Sequence, residues 1–157
     1  MSKTYFVSLK LHNSSMEEIS DNFYWLSTTP DIQGSKEEAR TGKGWGILKA
    51  NPKSYADFKS LNDLPKVRIE AKYDVESNGK ENVVKVQLKN VGEYLAFQIH
   101  LALTKGEGGD EISPTYWDDN YVSLLPGESK EIFARFSIND LDNSNLSLKI
   151  EGWNIEN

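Results

Sequence analysis

Apolar and polar residues alternate with a period of two along most of this chain. Val67, Ile69, Ala71, Tyr73 and Val75 share one face of a run whose other face carries Lys66, Arg68, Glu70, Lys72 and Asp74. Successive strand side chains point to opposite sides, so this run predicts a half-buried antiparallel strand. The pattern returns at Val84/Val86/Leu88, at Leu95/Phe97/Ile99/Leu101/Leu103, at Ile132/Ala134/Phe136/Ile138 and at Leu146/Leu148/Ile150. Turn residues separate the runs: Asn78-Gly79 is a hairpin signal, Asn90-Val91-Gly92 a tight connection, and Pro126-Gly127 fits the centre of a type II turn. About six or seven short strands punctuated this way predict an all-β fold, an immunoglobulin-like antiparallel β-sandwich over residues 66–157. Helix is confined to residues 15–19 and 53–61, a turn or two each.

The first residues follow a different plan. Tyr5/Val7/Leu9/Leu11 and the segment NFYWLS at 22–27 predict two strands joined through HNSSMEEISD, hence a β-hairpin over residues 1–28. An isolated hairpin is barely stable in water, so this one is expected to dock on something. Residues 29–65 carry Pro30, Gly34, Gly42, Gly44, Gly46, Pro52 and Pro65 and read as a long linker. Structureless loops of that length are uncommon inside one compact domain. The chain therefore reads as the end of one sandwich domain, a linker, and a complete second sandwich, cut from a larger polypeptide.

Composition narrows the partners. At 157 residues with 38% hydrophobic and 27% charged, the chain can bury a core without disulfides, and it has no cysteine. That removes thiol nucleophiles and Cys-based zinc sites. Eighteen Lys and Arg stand against 24 Asp and Glu, a net charge of −6. Nucleic acid needs a basic face to release counterions, so it is not an expected partner. Nor is a membrane, because the apolar runs last only a few residues, far short of the roughly 20 that span a bilayer.

His12 and His100 lack the other members of a nucleophilic triad, and no G-x-S-x-G is present. The TGKGWG run at 41–46 misses the spacing of a phosphate loop and is expected to be a plain loop. Asp140, Asp142, Ser144 and Glu151 fall at positions 1, 3, 5 and 12 of a calcium-loop template. Asn145 replaces the sharp-turn glycine there, leaving Asp140 and Asp142 as a weak calcium candidate with a solvated acidic turn as the default. Asp118 and Asp119 are adjacent, so on a strand they face opposite ways and do not form an acid–base pair. No cofactor is expected. The aromatic residues remain: Tyr116, Trp117 and Tyr121 around Asp118 and Asn120, with Trp153 further on, form a motif suited either to glycan or interdomain contact or to core packing. Asn13 and Asn145 each open an Asn-x-Ser sequon.

Three segments together resemble a known family: DNFYWLS at 21–27 with YADFKSLNDLP at 55–65, SPTYWDDNYVSLLPGES at 113–129, and EGWN at 151–154. They are similar to the C-terminal end of family 2 glycoside hydrolases, in the branch of exo-β-glucosaminidases and β-mannosidases. In that family a catalytic (β/α)8 barrel is followed by two β-sandwiches. By this resemblance residues 22–27 match the last strand of the penultimate sandwich, residues 55–65 the link, and 66–154 the terminal immunoglobulin-like domain. The segment Gly34–Asn51 departs from the family pattern. The family's acid/base glutamate follows an asparagine on the barrel, and no Asn-Glu dipeptide occurs here. The resemblance thus implies a non-catalytic accessory domain whose partners are the other domains of its own parent glycosidase, with export to the periplasm or exterior of a bacterium. A carbohydrate-binding module contacting an oligosaccharide and a free-standing adhesion sandwich are the alternatives.

Overall fold

The structure, a computed structural model, describes residues 2–34 and 52–156. The chain divides into two compact units, Met1–Leu64 and Pro65–Asn157.

In the first unit β1 (Thr4–His12) pairs antiparallel with β2 (Glu18–Ser27). Their connection is closed by Asn13, whose Oδ1 accepts from Ser15 N at 2.9 Å and Glu17 N at 3.0 Å. This side chain competes with helical bonding, so the turn or two of helix expected at 15–19 is replaced by a turn and the start of β2. Residues expected to form helix at 53–61 divide similarly between a short strand and a 3-10 turn. Here β3 (Ile32–Gln33) pairs with β4 (Pro52–Ser54), and the 3-10 turn spans Lys59–Asp63 with Leu61 buried. Asp57 dictates the break. Its Oδ1 accepts from Lys59 N, its main-chain N–H donates to Ser27 Oγ at 2.9 Å, and its carbonyl accepts from Thr4 Oγ1 at 3.0 Å. Residues 57–61 are thereby tied to the hairpin.

The second unit is the sandwich. One sheet has the order β5–β6–β10–β8, built from β5 (Ile69–Ser77), β6 (Glu81–Asn90), β8 (Tyr116–Trp117) and β10 (Ser129–Ser137). The other has the order β11–β7–β9, from β7 (Ala96–Lys105), β9 (Val122–Leu124) and β11 (Leu146–Glu151). A 3-10 turn at Ile138–Leu141 joins β10 to β11. The Asn78-Gly79 signal is realised as the β5–β6 hairpin: Asn78 Oδ1 accepts from Lys80 N and Glu81 N, and Gly79 takes φ +85°. Val84, Val86, Leu88, Ile132, Ala134 and Phe136 from one sheet meet Ile99, Leu101, Leu103, Val122 and Leu124 from the other, forming one core. The sandwich expected from the alternation is therefore present. Along β5, however, the apolar face is well covered only near its start, and Tyr73 and Val75 are exposed at the sheet edge.

One strand departs from simple alternation. In β7 the register shifts between Ala96 and Ile99, where Gln98 takes φ +54°. Such a bulge exchanges the two faces of a strand. Ala96, not Phe97, therefore enters the core with Ile99. Phe97 is also buried, but it makes an edge-to-face contact with Trp153, ring centroids 6.4 Å apart.

Where ladders stop, asparagine side chains take over. Asn154, 1% exposed, accepts from Phe97 N at 2.9 Å and donates to Pro65 O at 2.7 Å and Leu95 O at 2.8 Å. Its main-chain carbonyl accepts from Val67 N, beginning a parallel bridge between Val67 and Ile155. Gly152 permits this return, since a Cβ there would collide with Ile155 Cγ1. Asn90, fully buried, donates to Tyr94 O and Leu124 O and accepts from Gly92 N.

Truncating Asn154 leaves several buried main-chain groups without partners, each costing about 1–3 kcal/mol. Asn154→Ala is expected to lower stability by about 2–4 kcal/mol in urea unfolding, against a change within about 0.5 kcal/mol for the exposed Glu93→Ala. A loss below about 1 kcal/mol for Asn154→Ala would show that the carboxamide is dispensable.

Candidate functional site

The aromatic and acidic residues of 116–121 are adjacent in sequence but are sent in different directions. Tyr116 and Trp117 form β8, opposite Arg135 and Ala134 of β10. Trp117 is half-buried and packs on the core, whereas Tyr116 is exposed. Asp118 extends the same ladder: its N–H donates to Phe133 O at 3.0 Å and its Oδ1 accepts from Phe133 N at 2.8 Å. Asp119 faces away and pairs with Lys130 at 2.8 Å. The two carboxylates thus have separate structural partners.

Asn120 returns the chain to the other sheet. Its Oδ1 accepts from Leu101 N at 2.8 Å and its Nδ2 donates to Leu101 O at 2.9 Å, so the carboxamide takes the place of a neighbouring strand residue. The same Oδ1 accepts from Tyr121 N at 2.9 Å. Tyr121 is held at φ +56°, a left-handed conformation rare for a bulky residue. That turn lays its ring on His100, with centroids 4.7 Å apart and planes inclined by 22°. His100 Nδ1 lies 3.8 Å from Glu151 Oε2, and Glu151 Oε1 receives Lys149 Nζ at 2.7 Å.

Beside this stack is a cleft of about 200 Å³ lined by His100, Glu111, Ser113, Thr115, Trp117 and Asn120, among others. Of the sequence candidates, Trp117 and Asn120 line it, Tyr121 stacks on one of its walls, and Trp153 is absent from the lining. His100 and Glu111 were not expected there. His100 does face outward as its alternation predicts; what alternation could not show was the left-handed turn at Tyr121 that covers it.

The acidic turn at 140–145 is occupied by its own contacts. Asp142 takes φ +51° at the end of the 3-10 turn, and its carboxylate pairs with Lys105. Glu151, the last position of the calcium template, belongs to the Lys149 pair. Among the described residues no group of three or more His, Asp or Glu is arranged to hold a metal ion. His12 ends β1, exposed and opposite Glu18. The 41–46 glycine run lies outside the described residues. No described helix is long and apolar enough to cross a membrane.

The class these features define is an immunoglobulin-like antiparallel β-sandwich. Comparison with known proteins gives the family. Residues 48–155 match the profile described as the exo-β-D-glucosaminidase Ig-fold domain, and the chain belongs to that family. It is 33% identical to the exo-β-D-glucosaminidase of Streptomyces avermitilis over 98% of this chain and 16% of that protein. Against the Amycolatopsis orientalis enzyme of the same name the identity is 34%, over 98% of this chain and 14% of that one. A mannosylglycoprotein endo-β-mannosidase from Lilium longiflorum is 28% identical over 96% of this chain and 19% of its own length. The solved structure of the Amycolatopsis orientalis exo-chitosanase CsxA superposes with TM-score 0.85 at 32% identity, covering 99% of this chain and 18% of that chain. The chain thus spans about a sixth of the curated glucosaminidases it matches. The resemblance to family 2 glycoside hydrolases of this branch is borne out.

Glu151 supplies a pH test of the site. Its carboxyl is held below the usual carboxylate range, chiefly by the hydrogen bond from the Lys149 ammonium, with desolvation opposing and the charges of Lys149 and His100 assisting. A carboxyl lowered in the folded state stabilises fully above its unfolded pKa, and the contribution is lost as pH falls through the folded value. Glu151→Gln is expected to melt slightly earlier than the unaltered chain at neutral pH and to match it once the pH drops below that folded value. A difference in melting temperature that persists unchanged to low pH would exclude the ion pair as its source.

Proposed function

We propose that this chain is a non-catalytic accessory region of a family 2-like glycoside hydrolase of exo-β-glucosaminidase type, with a structural role in supporting the catalytic barrel. Its partners are the remaining domains of the same parent glycosidase, the preceding sandwich first. The observation that carries this reading is the β1–β2 hairpin. The strand register places Tyr5, Val7, Leu9 and Leu11 of β1 on the same face as Leu26 and Tyr24 of β2. Leu9 is 54% and Leu11 58% exposed, and Tyr5, Tyr24 and Leu26 are exposed with them. The opposite face carries the Phe6–Phe23 ring pair, centroids 5.7 Å apart. A ribbon with apolar side chains on both faces fits an interior position in a larger sheet assembly, and contiguous apolar surface of this kind marks an interaction site.

Two measurements test the proposal. The purified chain should not hydrolyse β-glucosaminides or β-mannosides, and turnover that follows the pure protein through chromatography would overturn the reading. The isolated chain should also self-associate through the hairpin face, and Leu9→Lys combined with Leu26→Lys should return it to monomer in sedimentation equilibrium. Self-association that survives both substitutions, or a wild-type chain that stays monomeric at high concentration, would remove the hairpin as the docking surface.

A further inference from the structure

We propose that Asn78, at the tip of the β5–β6 hairpin, is a self-modification site. Its carboxamide is converted to aspartate and isoaspartate by attack of the Gly79 main-chain nitrogen, with water as co-reactant. This goes beyond the structural role above, which stands whether or not Asn78 reacts.

Sequence and backbone prepare the nucleophile. Asn78-Gly79 is the one Asn-Gly pair in the chain, and residues 77–80 are exposed. Gly79 takes φ +85°, and the place where a Cβ would stand on it has no atom within 4 Å, so no side chain hinders its nitrogen. Its N–H lies at a long 3.4 Å from Ser77 Oγ and takes no part in the β5–β6 ladder. The turn also prepares the electrophile. Asn78 Oδ1 accepts from Lys80 N at 3.0 Å and from Glu81 N at 2.9 Å. Attack on Cγ moves negative charge onto that oxygen, and main-chain N–H groups already aimed at it stabilise the charge as it develops.

The step balances with water alone. The Gly79 nitrogen gives its proton to hydroxide and its electron pair to Asn78 Cγ. A C–N bond forms, the Cγ–Nδ2 bond breaks, and Nδ2 leaves as ammonia with a proton from water. Water then opens the resulting succinimide at either carbonyl. The product adds one negative charge to the −6 of the chain. Isoaspartate also routes the main chain through Cγ, which removes the cap on Lys80 and Glu81. Other asparagines lack one part or another of this arrangement. Asn13 Oδ1 likewise accepts two main-chain N–H groups, but Ser14 follows it and its Nδ2 is held by Glu17 at 2.7 Å. Asn143 also precedes a serine, and the Ser144 N–H is committed to Leu141 O. Asn90, Asn120 and Asn154 are followed by the bulkier Val91, Tyr121 and Ile155.

The test is incubation of the purified 157-residue chain in mildly alkaline buffer. Ion exchange, peptide mapping by mass spectrometry and labelling by an isoaspartate-specific methyltransferase follow the change. A more acidic species is expected to accumulate, with the mass gain of an amide turned to an acid appearing at Asn78 before Asn13 or Asn143. Asn78→Gln requires a larger ring and should slow the change at least about tenfold. Gly79→Ala should slow it too, and if that variant fails to fold, Asn78→Gln decides alone. The folded chain should convert at least as fast at Asn78 as the same chain in urea. Earlier conversion at Asn13 or Asn143, an unchanged rate in Asn78→Gln, or no conversion over weeks would overturn the site. Slower conversion in the folded chain than in urea would overturn the part assigned to the turn.

Discussion

Three asparagine carboxamides make this sandwich possible. A strand that ends inside a protein leaves main-chain N–H and C=O groups that water cannot reach, and each must find a partner or cost about 1–3 kcal/mol. Against a net stability of about 5–15 kcal/mol for a domain, a few such groups would be decisive. Asn90 supplies the partners where β6 gives way to the loop before β7, Asn120 where the chain crosses back to the second sheet, and Asn154 where the last residues return to Val67. Among the described residues no buried side-chain nitrogen or oxygen is left without a hydrogen bond. The same device positions the candidate site, because the Asn120 bonds to Leu101 also fix the turn that places Tyr121 on His100.

Sequence pattern and structure agree where one physical rule acts alone. The Asn78-Gly79 hairpin follows from turn chemistry, and the β6 and β10 core faces follow from strict alternation in strands buried on one side. The pattern failed where a second constraint intervened. At Gln98 the bulge reverses the faces of β7, and nothing in the alternation of apolar residues marks it, because Ala96 and Phe97 are both apolar. Helix was expected at 53–61 from residue preferences, but Asp57 bonds to Ser27 and Thr4 decide that segment through contacts distant in sequence.

The candidate site was legible in its residue types and opaque in its geometry. An aromatic and acidic cluster at 116–121 is conspicuous, and Trp117 does line the cleft, while Tyr121 stacks on His100 in its wall. Asp118 and Asp119, however, are consumed by Phe133 and Lys130, and Asn120 by main chain. His100 and Glu111 come from positions that a sequence reader would assign to a solvated face. Long-range pairing decides such membership, here the Glu151–His100 register and the Thr104–Glu111 bridge.

The charged face of the sandwich's outer strand contrasts with the apolar face of the β1–β2 hairpin, and this contrast bears on the proposed role. The outer strand β5 of the sandwich turns Glu70, Lys72, Asp74 and Glu76 outward, and in the register Glu70 lies opposite Lys89 and Asp74 opposite Lys85. On β6 and β10, Lys85 binds Glu131 at 2.7 Å and lies over the Phe133 ring. Charge on an outer strand is the usual defence against unwanted pairing. The β1–β2 hairpin has no such defence on its Leu9, Leu11 and Tyr24 face. A surface that is protected can face water, and one that is apolar on both sides of a ribbon gains by being covered. A sandwich with a charged outer strand and a ribbon apolar on both faces support the reading proposed above, a module within a larger enzyme.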